Sequence, residues 1–364
     1  MINDVCSEFK SGKNIKADSI SESGEYPVYG GNGLRGYTSS YNHEGLYVLI
    51  GRQGALCGNV RSVNGKTYIT EHAIAAAGNE KSNTSFLHYL FLKMNLGQYS
   101  DQSAQPGLAV NKLLRLEVSL PPISEQKKIA KLLSLLDERI ATQNKIIDKL
   151  QSLIKGIADN ILDNPLWKKT YLRSFMQFFS TNSLSWEQLS YEEGEIRNLH
   201  YGLIHGFFTS GIKSYSLPMV KYGEMPKQYT LCQVGDVAFA DASEDTDEIG
   251  KSVEFVDTIK SDTICGLHTI HGRDIKNRTV VGFKGFAFNS RYFHNQIKRL
   301  AQGTKVFSIT ANNLSSCYVY LPDLEKQKAI VKLLRSYEEQ LIIGRMILKQ
   351  YEKQKQYLLR QMFI

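Results

Sequence analysis

Two stretches of the chain carry apolar residues at alternating intervals of four and three positions. Each stretch follows a proline and contains no internal proline, a pattern typical of a long helix with one apolar seam. We therefore predict helices over 122–164 and 322–364. The predicted seam positions are Ile129, Leu133, Leu136, Ile140 and Gln143 in the first helix and Ile330, Leu334, Tyr337, Leu341 and Gly344 in the second.

The two helical stretches are copies of one sequence. The segment VSLPPISEQKKIAKLLSLLDERI, from Val118, aligns without gaps to VYLPDLEKQKAIVKLLRSYEEQL, from Val319, and ten of the 23 positions are identical. A repeat of this length indicates a duplicated structural unit. We therefore predict two globular parts, 1–121 and 165–321, each followed by one of the helices.

The globular parts mix two kinds of hydrophobic pattern. Short alternating or β-branched runs bounded by turn residues favour strands, and longer amphipathic runs favour helices. We predict strands over 45–51, 66–76, 116–121, 235–240 and 316–322, and helices over 84–99 and 290–303. The predicted fold class is α+β: two mixed α/β domains, each followed by a long α-helix, with the two helices pairing as an antiparallel coiled coil with pseudo-twofold symmetry.

Gln143 and Gly344 occupy equivalent positions in the two predicted seams. One polar residue in a seam can fix the register of a coiled coil, and a glycine opposite it would leave room for the amide. We therefore expect Gly344 to lie opposite Gln143 if the helices pair about an axis through this layer. The alternative is that Gly344 is a tolerated defect in the seam.

Charge is unevenly distributed in the second globular part. The chain has 44 basic and 36 acidic residues, a net charge of +8, but residues 236–262 are mainly acidic and residues 273–305 mainly basic. A basic face suits nucleic acid. The alternative is two solvated surfaces that partly neutralise each other. The candidate DNA contacts in this segment are Arg273, Lys276, Arg291 and Lys305.

Cysteine usage and hydropathy narrow the class of protein. Five cysteines are scattered without a C-x-x-C motif, so we expect buried free thiols, with no zinc cluster and no disulfide framework. Every apolar run is too short to span a membrane, and the N-terminal residues lack the apolar core of a signal peptide. We therefore expect a cytoplasmic chain without a metal and without membrane association.

The stretch YGGNGLRGY, residues 29–37, contains a literal G-x-G-x-x-G. A nucleotide-binding loop of this kind needs a helix that starts inside it, because the helix N-terminus holds the phosphate. Here YTSSYNHEG follows, which predicts turns and strands. A tight turn accounts for the glycines. Tyr29, Asn32 and Arg35 remain candidate DNA contacts, because Asn and Arg side chains can read adenine and guanine edges.

A second glycine-flanked turn lies in IGRQGALCGNV, which begins at Ile50. It carries Arg52 and Gln53 between Gly51 and Gly54. These two side chains suit either the reading of a base edge or the gripping of a phosphate. For both glycine-rich loops the alternative is an ordinary solvated turn.

Motifs for catalysis are missing from the sequence. The segment Asn164-Pro165-Leu166-Trp167 lacks the second proline of an amino-methyltransferase motif, and no Walker loop, Ser-His-Asp pattern or metal-ligand cluster is present. His72 in TEHAI and His268 in GLHTI form a further weak repeat. We interpret them as buried or hydrogen-bonded histidines, so we expect no catalytic residue and no metal ligand in this chain.

Taken together, these segments resemble the specificity subunits of Type I restriction–modification systems. The duplicated helix opening LPPISEQKKIAKLL is the most specific part, and YGGNGLRGY, VLIGRQGALCGNV and YITEHAIAA resemble one recurrent type of target-recognition domain. WEQLSYEEGEIRNLHYGLIHGFF resembles the opening of another type. The resemblance covers nearly the whole chain. One departure is that WKKTYL (167–172) precedes the second domain, whereas the first begins almost directly at Asn3, which leaves the packing of its N-terminal arm open but not the assignment.

The resemblance implies a non-catalytic subunit. Each target-recognition domain, 1–121 and 165–321, would read one half of a bipartite, asymmetric site in double-stranded DNA. The helices would set the distance between the half-sites and dock two methyltransferase (modification) subunits. Those subunits bind S-adenosylmethionine and methylate adenine, and a restriction subunit can join and cleave with ATP and Mg. The resemblance implies no cofactor in this chain itself.

Two other interpretations stay open at this point. A two-lobed coiled-coil scaffold that holds proteins, and reads no DNA, would share the same helices. A nuclease or methyltransferase in its own right would need motifs that the sequence lacks. Salt-sensitive DNA binding would separate the first alternative from a specificity subunit.

Overall fold

The computed structural model describes residues 1–101, 106–207, 209–257 and 262–363. Two compact units divide the chain. The first comprises residues 1–145 and 346–364, and the second comprises residues 146–345. Each unit thus contains one globular part and a segment of each long helix. None of the helices in the described residues combines the length and the apolar character needed to cross a membrane.

The described residues of the first unit contain eight strands in two four-stranded sheets. They are Cys6–Ser11 (β1), Tyr26–Gly30 (β2), Gly33–Thr38 (β3), His43–Glu44 (β4), Tyr47–Gly51 (β5), Val60–Val63 (β6), Lys66–Ile69 (β7) and Ala73–Gly78 (β8). One sheet has the order β1–β8–β5–β6 and is antiparallel. The other has the order β3–β2–β7–β4, and its central strands β2 and β7 run parallel. The single strand predicted over 66–76 is therefore two strands, which belong to different sheets.

Helix α1, Thr84–Met94, covers one face of the antiparallel sheet. It begins at Asn83, whose side chain accepts a hydrogen bond from the Phe86 N–H, and it ends at Asn95, whose φ of 47° closes the helix in the left-handed conformation. A short helix α2, Val110–Leu114, follows. The core of this unit includes the fully buried side chains Ile50, Ile74, Phe86, Leu87 and Phe91.

The second unit repeats this plan with more strands. In its described part they are Lys168–Tyr171 (β9), Met176–Phe179 (β10), Leu189–Ser190 (β11), Arg197–Leu199 (β12), Gly211–Ile212 (β13), Met219–Val220 (β14), Val237–Ala240 (β15), Ala242–Ser243 (β16), Ser252–Phe255 (β17), Thr263–Cys265 (β18), Thr269–Asp274 (β19), Phe307–Ser308 (β20) and Tyr318–Leu321 (β21). The sheet β10–β19–β15–β17–β13 matches β1–β8–β5–β6 with one strand added, and the parallel pair β12/β18 matches β2/β7. The internal repeat therefore extends from the sequence to the strand topology.

Short helices connect the strands of the second unit. They are Tyr201–Gly206 (α4), Phe283–Ala287 (α5), Arg291–Leu300 (α6) and Ala311–Ser316 (α7). The two long helices are Ile123–Leu162 (α3) and Leu324–Gln361 (α8). Both predicted long helices are thus present, and the helices predicted over 84–99 and 290–303 correspond to α1 and α6.

One strand prediction was wrong. Residues 316–322 contain the predicted strand β21, which pairs with β9 along four residues, but the equivalent residues 116–121 form no strand. A strand needs a partner for its backbone groups, and among the described residues none lies beside 116–121 as β9 lies beside β21. The Leu116 carbonyl accepts a hydrogen bond from the Ile2 N–H instead, at 2.9 Å.

A buried glutamine joins each long helix to its own globular part. The Gln126 Oε1 atom accepts from the Asn83 N–H at 2.8 Å, and its Nε2 donates to the carbonyls of Lys81 and Pro121, both at 2.9 Å. Gln126 is completely buried. Both polar atoms of the side-chain amide are therefore used to fix the first turn of α3 against the loop before α1.

The second unit contains the same arrangement 201 positions later (327 − 126). The Gln327 Oε1 atom accepts from the Val280 N–H, and its Nε2 donates to the carbonyls of Arg278 and Pro322, all at 3.0 Å. Gln327 is also buried. This glutamine is one of the identical positions of the repeat, and its duplicated contacts explain what the identity does in the fold.

The predicted seam faces the interior of each unit. Seven of the ten seam residues are buried, and Ile140, Gln143 and Tyr337 are half-buried. Gly344 is buried, but it belongs to the second unit whereas Gln143 belongs to the first. Their proposed pairing therefore stays a prediction.

Within the first unit, segments of α3 and α8 contact each other. The Lys355 ammonium contacts the Asp137 carboxylate, and the Arg139 guanidinium lies 5.9 Å from the centre of the Tyr351 ring. Residue numbers rise along α3 as they fall along α8, so these two segments run antiparallel. The Tyr89 hydroxyl of α1 donates to Asp137 at 2.9 Å and ties the pair to the globular part.

Within the second unit, the other halves of the two helices share a core. Ala158 and Leu162 of α3 belong to the same buried cluster as Ile330 and Leu334 of α8. The Asp159 carboxylate of α3 also accepts from the first N–H of α6, at 2.7 Å. Each globular part therefore packs on segments of both long helices.

Candidate nucleic-acid interface

The glycine-rich stretch forms a hairpin and holds no helix. Strands β2 and β3 pair up to Gly30 and Gly33, so only Gly31 and Asn32 form the turn. Gly33 has a φ of +109°, a region open to glycine but strained for other residues. Because no helix of the described residues begins at this turn, it lacks the phosphate-binding element of a nucleotide fold. The turn projects Asn32 into solvent.

Close backbone packing brings this turn against two other loops. A Cβ atom at Gly31 would lie 2.7 Å from the His72 carbonyl oxygen, so only glycine allows this approach. The Arg52 N–H donates to that same carbonyl at 2.9 Å. The β2–β3 turn, the loop after β5 and the β7–β8 turn therefore meet at one edge of the first unit.

Side chains from these loops interact on the resulting surface. The Gln53 Oε1 atom lies 3.0 Å from His72 Nδ1, and His72 Nε2 lies 3.1 Å from a Glu71 carboxylate oxygen. These contacts orient Gln53 and His72 without burying them, since nearly half of the His72 side chain is exposed. We call this the first loop surface, defined by Asn32, Arg35, Arg52, Gln53 and His72.

Arginines dominate the charge of the first loop surface. Arg35 is exposed, and its stem lies over Gly30, where a Cβ would be 2.8 Å from Arg35 Cδ. Arg52 makes one long hydrogen bond, 3.5 Å from Nη1 to the Glu71 carbonyl, so its guanidinium retains most of its donors. Both side chains are therefore available to an anionic or hydrogen-bonding partner.

Two residues near this surface make packing contacts that were not predicted from the sequence, and DNA contact by Tyr29 stays a prediction. Tyr29 packs half-buried against the small cluster of Leu49 and Ile69, so its ring has a packing role. Arg61 was not predicted, yet its guanidinium covers the hairpin where a Cβ at Gly33 would stand. Arg61 lies inside the short strand β6, far in sequence from the glycines, and only the fold brings them together.

The second unit has an equivalent edge with different chemistry. Asp241 takes the place of Arg52, because its N–H donates to the His268 carbonyl at 3.0 Å as the Arg52 N–H donates to that of His72. The Asp241 carboxylate lies 3.1 Å from His268 Nδ1, and half of the His268 side chain is exposed. His268 holds a φ of +53° at this turn, between β18 and β19.

An aromatic ring contacts His268, and two more rings adjoin that ring. The Tyr201 ring meets His268 edge-on with centroids 5.2 Å apart, and the His200 ring contacts both Tyr201, at 4.8 Å, and Trp186, at 4.4 Å. Burial lowers the pKa of His200 and raises that of Asp241, whereas His268 opposes the latter change. We call this the second loop surface, defined by Trp186, Tyr201, Asp241 and His268.

The four basic residues predicted for the second unit do not lie together on this surface. Arg273 lies at the opposite end of β19 from His268, about 17 Å away along the strand, and Lys276 lies beyond that end. Arg291 is exposed at the start of α6, and Lys305 is exposed in the loop before β20. Their role in DNA binding stays a prediction.

The acidic and basic segments of the second unit pair with each other. Asp236 receives two hydrogen bonds from the Arg273 guanidinium, at 2.9 and 2.7 Å. Glu254 lies 3.0 Å from the Lys284 ammonium, and both are buried. Lys298 contacts Asp247. Acidic residues of 236–262 therefore neutralise basic residues of 273–305 within the unit, which weakens the prediction of a single basic face there.

Comparison with known proteins places these observations in a family. A family model described as the Type I restriction modification DNA specificity domain matches residues 1–152 and 267–353, more than half of the chain. The chain belongs to this family. The matched residues include the first loop surface, His268 and most of both long helices, so the specificity-domain family covers parts of both loop edges and the duplicated helices.

Two relatives of this chain are named as specificity subunits of Type I restriction enzymes. The chain is 44% identical over 134 residues to the Type I restriction enzyme EcoprrI specificity subunit of Escherichia coli, covering 36% of this chain and 33% of that protein. It is 26% identical over 290 residues to the MjaVIII specificity subunit of Methanocaldococcus jannaschii, covering 73% and 67%. The chain thus spans about a third of the first relative and two thirds of the second.

A solved structure shares the fold. The Type I restriction–modification S subunit from M. genitalium has a TM-score of 0.64 at 16% sequence identity, over 100% of this chain and 95% of that one. Identity at this level supports the architecture alone. The mixed helix and sheet domains with long helices are therefore the fold of known S subunits.

Proposed function

We propose that this chain is the DNA-specificity subunit of a Type I restriction–modification complex. The observation that carries the proposal is the first loop surface, where three glycine-tight loops place Asn32, Arg35, Arg52 and Gln53 on one edge. Arginine reads guanine, and asparagine or glutamine reads adenine, through paired hydrogen bonds in the major groove. We assign one half of a bipartite site in double-stranded DNA to this surface.

The second loop surface reads the other half-site in this proposal. It occupies the equivalent edge of the second unit, because Asp241 and His268 repeat the backbone contact of Arg52 and His72. Its carboxylate can accept from cytosine and its exposed Trp186 ring can pack on a thymine methyl or sugar. Different chemistry at equivalent edges supports an asymmetric target. The sequence-based candidates Lys276, Arg291 and Lys305 become secondary, phosphate-contacting candidates.

The long helices offer duplicated surfaces for partner subunits. In the first unit Leu132 and Ile347 are exposed, and in the second unit their repeat equivalents Leu333 and Ile146 are exposed. Exposed apolar residues on a helix face favour a protein interface. Two equivalent copies support two copies of one partner, which we identify as the methyltransferase subunits that bind S-adenosylmethionine and methylate adenine. A restriction subunit would add ATP- and Mg-dependent cleavage.

The chain itself performs no catalysis in this proposal. Its contribution is to carry two reading surfaces joined by the long helices, so helix length sets the number of unread bases. Because its partner DNA is that of the cell, we place the chain in the cytoplasm. The alternative, a protein scaffold without DNA reading, lacks a reason for exposed arginine and amide side chains on one glycine-tight edge.

Methylation mapping tests the proposal directly. The chain is co-expressed with its modification subunit, and methyladenine is mapped by single-molecule sequencing. We expect one bipartite motif that disappears when this gene is deleted. If no motif depends on the gene, and the assembled complex shows no salt-sensitive DNA binding, the scaffold interpretation replaces the proposal.

Single substitutions assign the two surfaces. Arg52→Ala should weaken recognition of one half-site by about 1–3 kcal/mol and leave the other half unchanged, because a paired base contact carries that discrimination. His268→Ala should affect only the other half. Lys128→Ala, an exposed lysine of α3, is the matched control and should change neither. Equal weakening on all sequences would mark Arg52 as a phosphate contact.

A further inference from the structure

We propose that Cys232, Cys265 and His271 bind a thiophilic divalent metal ion, zinc in the cell, inside the second unit. The three side chains are buried, with 6%, 3% and 1% of their surface exposed. One donor atom from each lies within 4.8 Å of the other two. In the part of the chain that the structure describes, this is the cluster of sulfur and imidazole donors that meets such a limit.

The spacing suits three of the four ligands of a tetrahedral site. The two sulfur atoms are 3.5 Å apart. Around zinc, with Zn–S bonds of about 2.3 Å, two thiolates lie about 3.8 Å apart, so only a small adjustment is needed. A disulfide bond would require about 2.0 Å, which the two side chains do not approach. Thiolate and imidazole are the donors that zinc prefers.

A buried carboxylate holds the ring of His271. Its Nε2 lies 2.7 Å from an Asp236 carboxylate oxygen, so Nε2 donates to Asp236 and Nδ1 is the ring nitrogen left for a metal. Asp236 is held in turn by Arg273 and by the Gln233 N–H. A carboxylate behind the non-coordinating nitrogen is the usual support of a zinc-bound histidine.

The three ligands come from three elements. Cys232 lies in the loop before β15, where its N–H donates to the Thr263 carbonyl at 2.8 Å, and Cys265 and His271 lie on β18 and β19. An ion here would cross-link this loop to both strands. Cys265 lies 33 residues after Cys232 and six residues before His271, so the ligands form no C-x-x-C motif. The expectation of no metal rested on that missing motif, because the sequence does not show that the fold brings these residues together.

The position gives the ion a structural consequence. Cys265 and His271 stand three residues on either side of His268, the centre of the second loop surface. A metal that joins them would close this turn as a rigid loop. The metal proposal does not depend on DNA reading, and it would hold for a protein scaffold equally well.

The test uses the full-length chain, purified reduced and stripped with a chelator. Cobalt(II) is the probe, because its absorption reports both thiolate ligation and tetrahedral geometry. We expect one cobalt per chain, displaced by one equivalent of zinc, and a higher unfolding temperature for the loaded chain. Elemental analysis of the chain as isolated should find about one zinc.

Variants separate this site from the other cysteines. Cys232→Ser and Cys265→Ser should abolish the thiolate absorption, whereas Cys317→Ser, which removes another buried thiol, should leave it intact. His271→Cys should still bind cobalt, with an added thiolate band, because the new cysteine replaces the histidine ligand. Binding by this variant would show that a substitution at the site does not by itself unfold the chain. Asp236→Asn should weaken the affinity for cobalt by about 10–100-fold.

Three results would overturn the proposal. One is the absence of a thiolate band when one equivalent of cobalt is added to the reduced wild-type chain. Another is an unchanged band in a folded Cys232→Ser chain. The third is a Cys232–Cys265 disulfide, shown by mass spectrometry in a metal-free chain as isolated, which would make the pair a redox bond.

Discussion

Replacing Gln126 by leucine should destabilise the first unit by about 3 kcal/mol. The side chain makes three hydrogen bonds of 2.8–2.9 Å while completely buried. A typical hydrogen bond contributes about 1 kcal/mol net, and a buried donor left without a partner costs about 1–3 kcal/mol. Leucine has a similar volume but leaves the Asn83 N–H and two carbonyls unpaired.

Hydrogen exchange measures this loss within each unit. A single free energy of unfolding is poorly defined for a chain with two units, so amide protection in α1 is the better readout. A loss of about 3 kcal/mol corresponds to about a hundredfold faster exchange when exchange requires unfolding of the unit. Gln327→Leu should speed amide exchange in β19 and α5 of the second unit by a similar factor, because Gln327 makes the equivalent hydrogen bonds there.

Controls make the outcome decisive. Gln354→Leu makes the same chemical change at an exposed position of α8 and should leave both units unchanged. If Gln126→Leu speeds exchange in α1 by less than about threefold, the buried amide is replaceable. If it speeds exchange in the second unit equally, the units do not unfold separately. Either result would refute the prediction.

Three further predictions concern spacing, the hairpin and pH. Deleting one heptad from α3 should shorten the spacer of the methylated motif, and an unchanged spacer in an active complex would contradict the role of the helices. Gly33→Ala should destabilise the first unit by about 1–2 kcal/mol, because φ is +109° and the new Cβ would meet the Arg61 guanidinium. Urea unfolding measures this loss, and Gly45→Ala, at a positive φ with open space around it, should lower the free energy of unfolding by less. The hydrogen bond with His205, aided by Lys251, lowers the pKa of Glu248 to about 2, so ionised Glu248 stabilises the fold fully above pH 4.5 and progressively less as the pH falls towards 2. The difference in unfolding temperature between wild type and Glu248→Gln should therefore shrink between pH 4.5 and pH 2. A constant difference would contradict this prediction.

The features that could be predicted from the sequence are those that local periodicity encodes. The seam from Ile129 to Leu136 and its copy from Ile330 identify both long helices, because a helical face repeats every three or four residues. The glycines of residues 29–37 identify a turn, and the absence of a following helix excludes a nucleotide site. The repeated histidines His72 and His268 identify equivalent turns, because each lies between two segments with the hydrophobic pattern of a strand.

Features that depend on distant contacts could not be predicted in this way. Arg61 covers Gly33 from another sheet, and Cys232 approaches His271 across three elements. The break between β7 and β8 contains no glycine or proline, so residues 66–76 have the pattern of one strand. Arg273 is followed by Asp274 in the sequence, yet its guanidinium pairs with Asp236, so its partner is supplied by a remote segment.

The discontinuous make-up of the first unit has a consequence for biosynthesis. Its globular part is translated first, yet it lacks residues 346–364 until the 200 residues from 146 to 345 have been added. At about 5–20 residues per second this takes roughly 10–40 s. During that interval the Phe86 ring lacks Phe363, its neighbour at 4.9 Å, and Asp137 lacks Lys355. The second unit is continuous, so all of its residues are synthesised before the first unit can close.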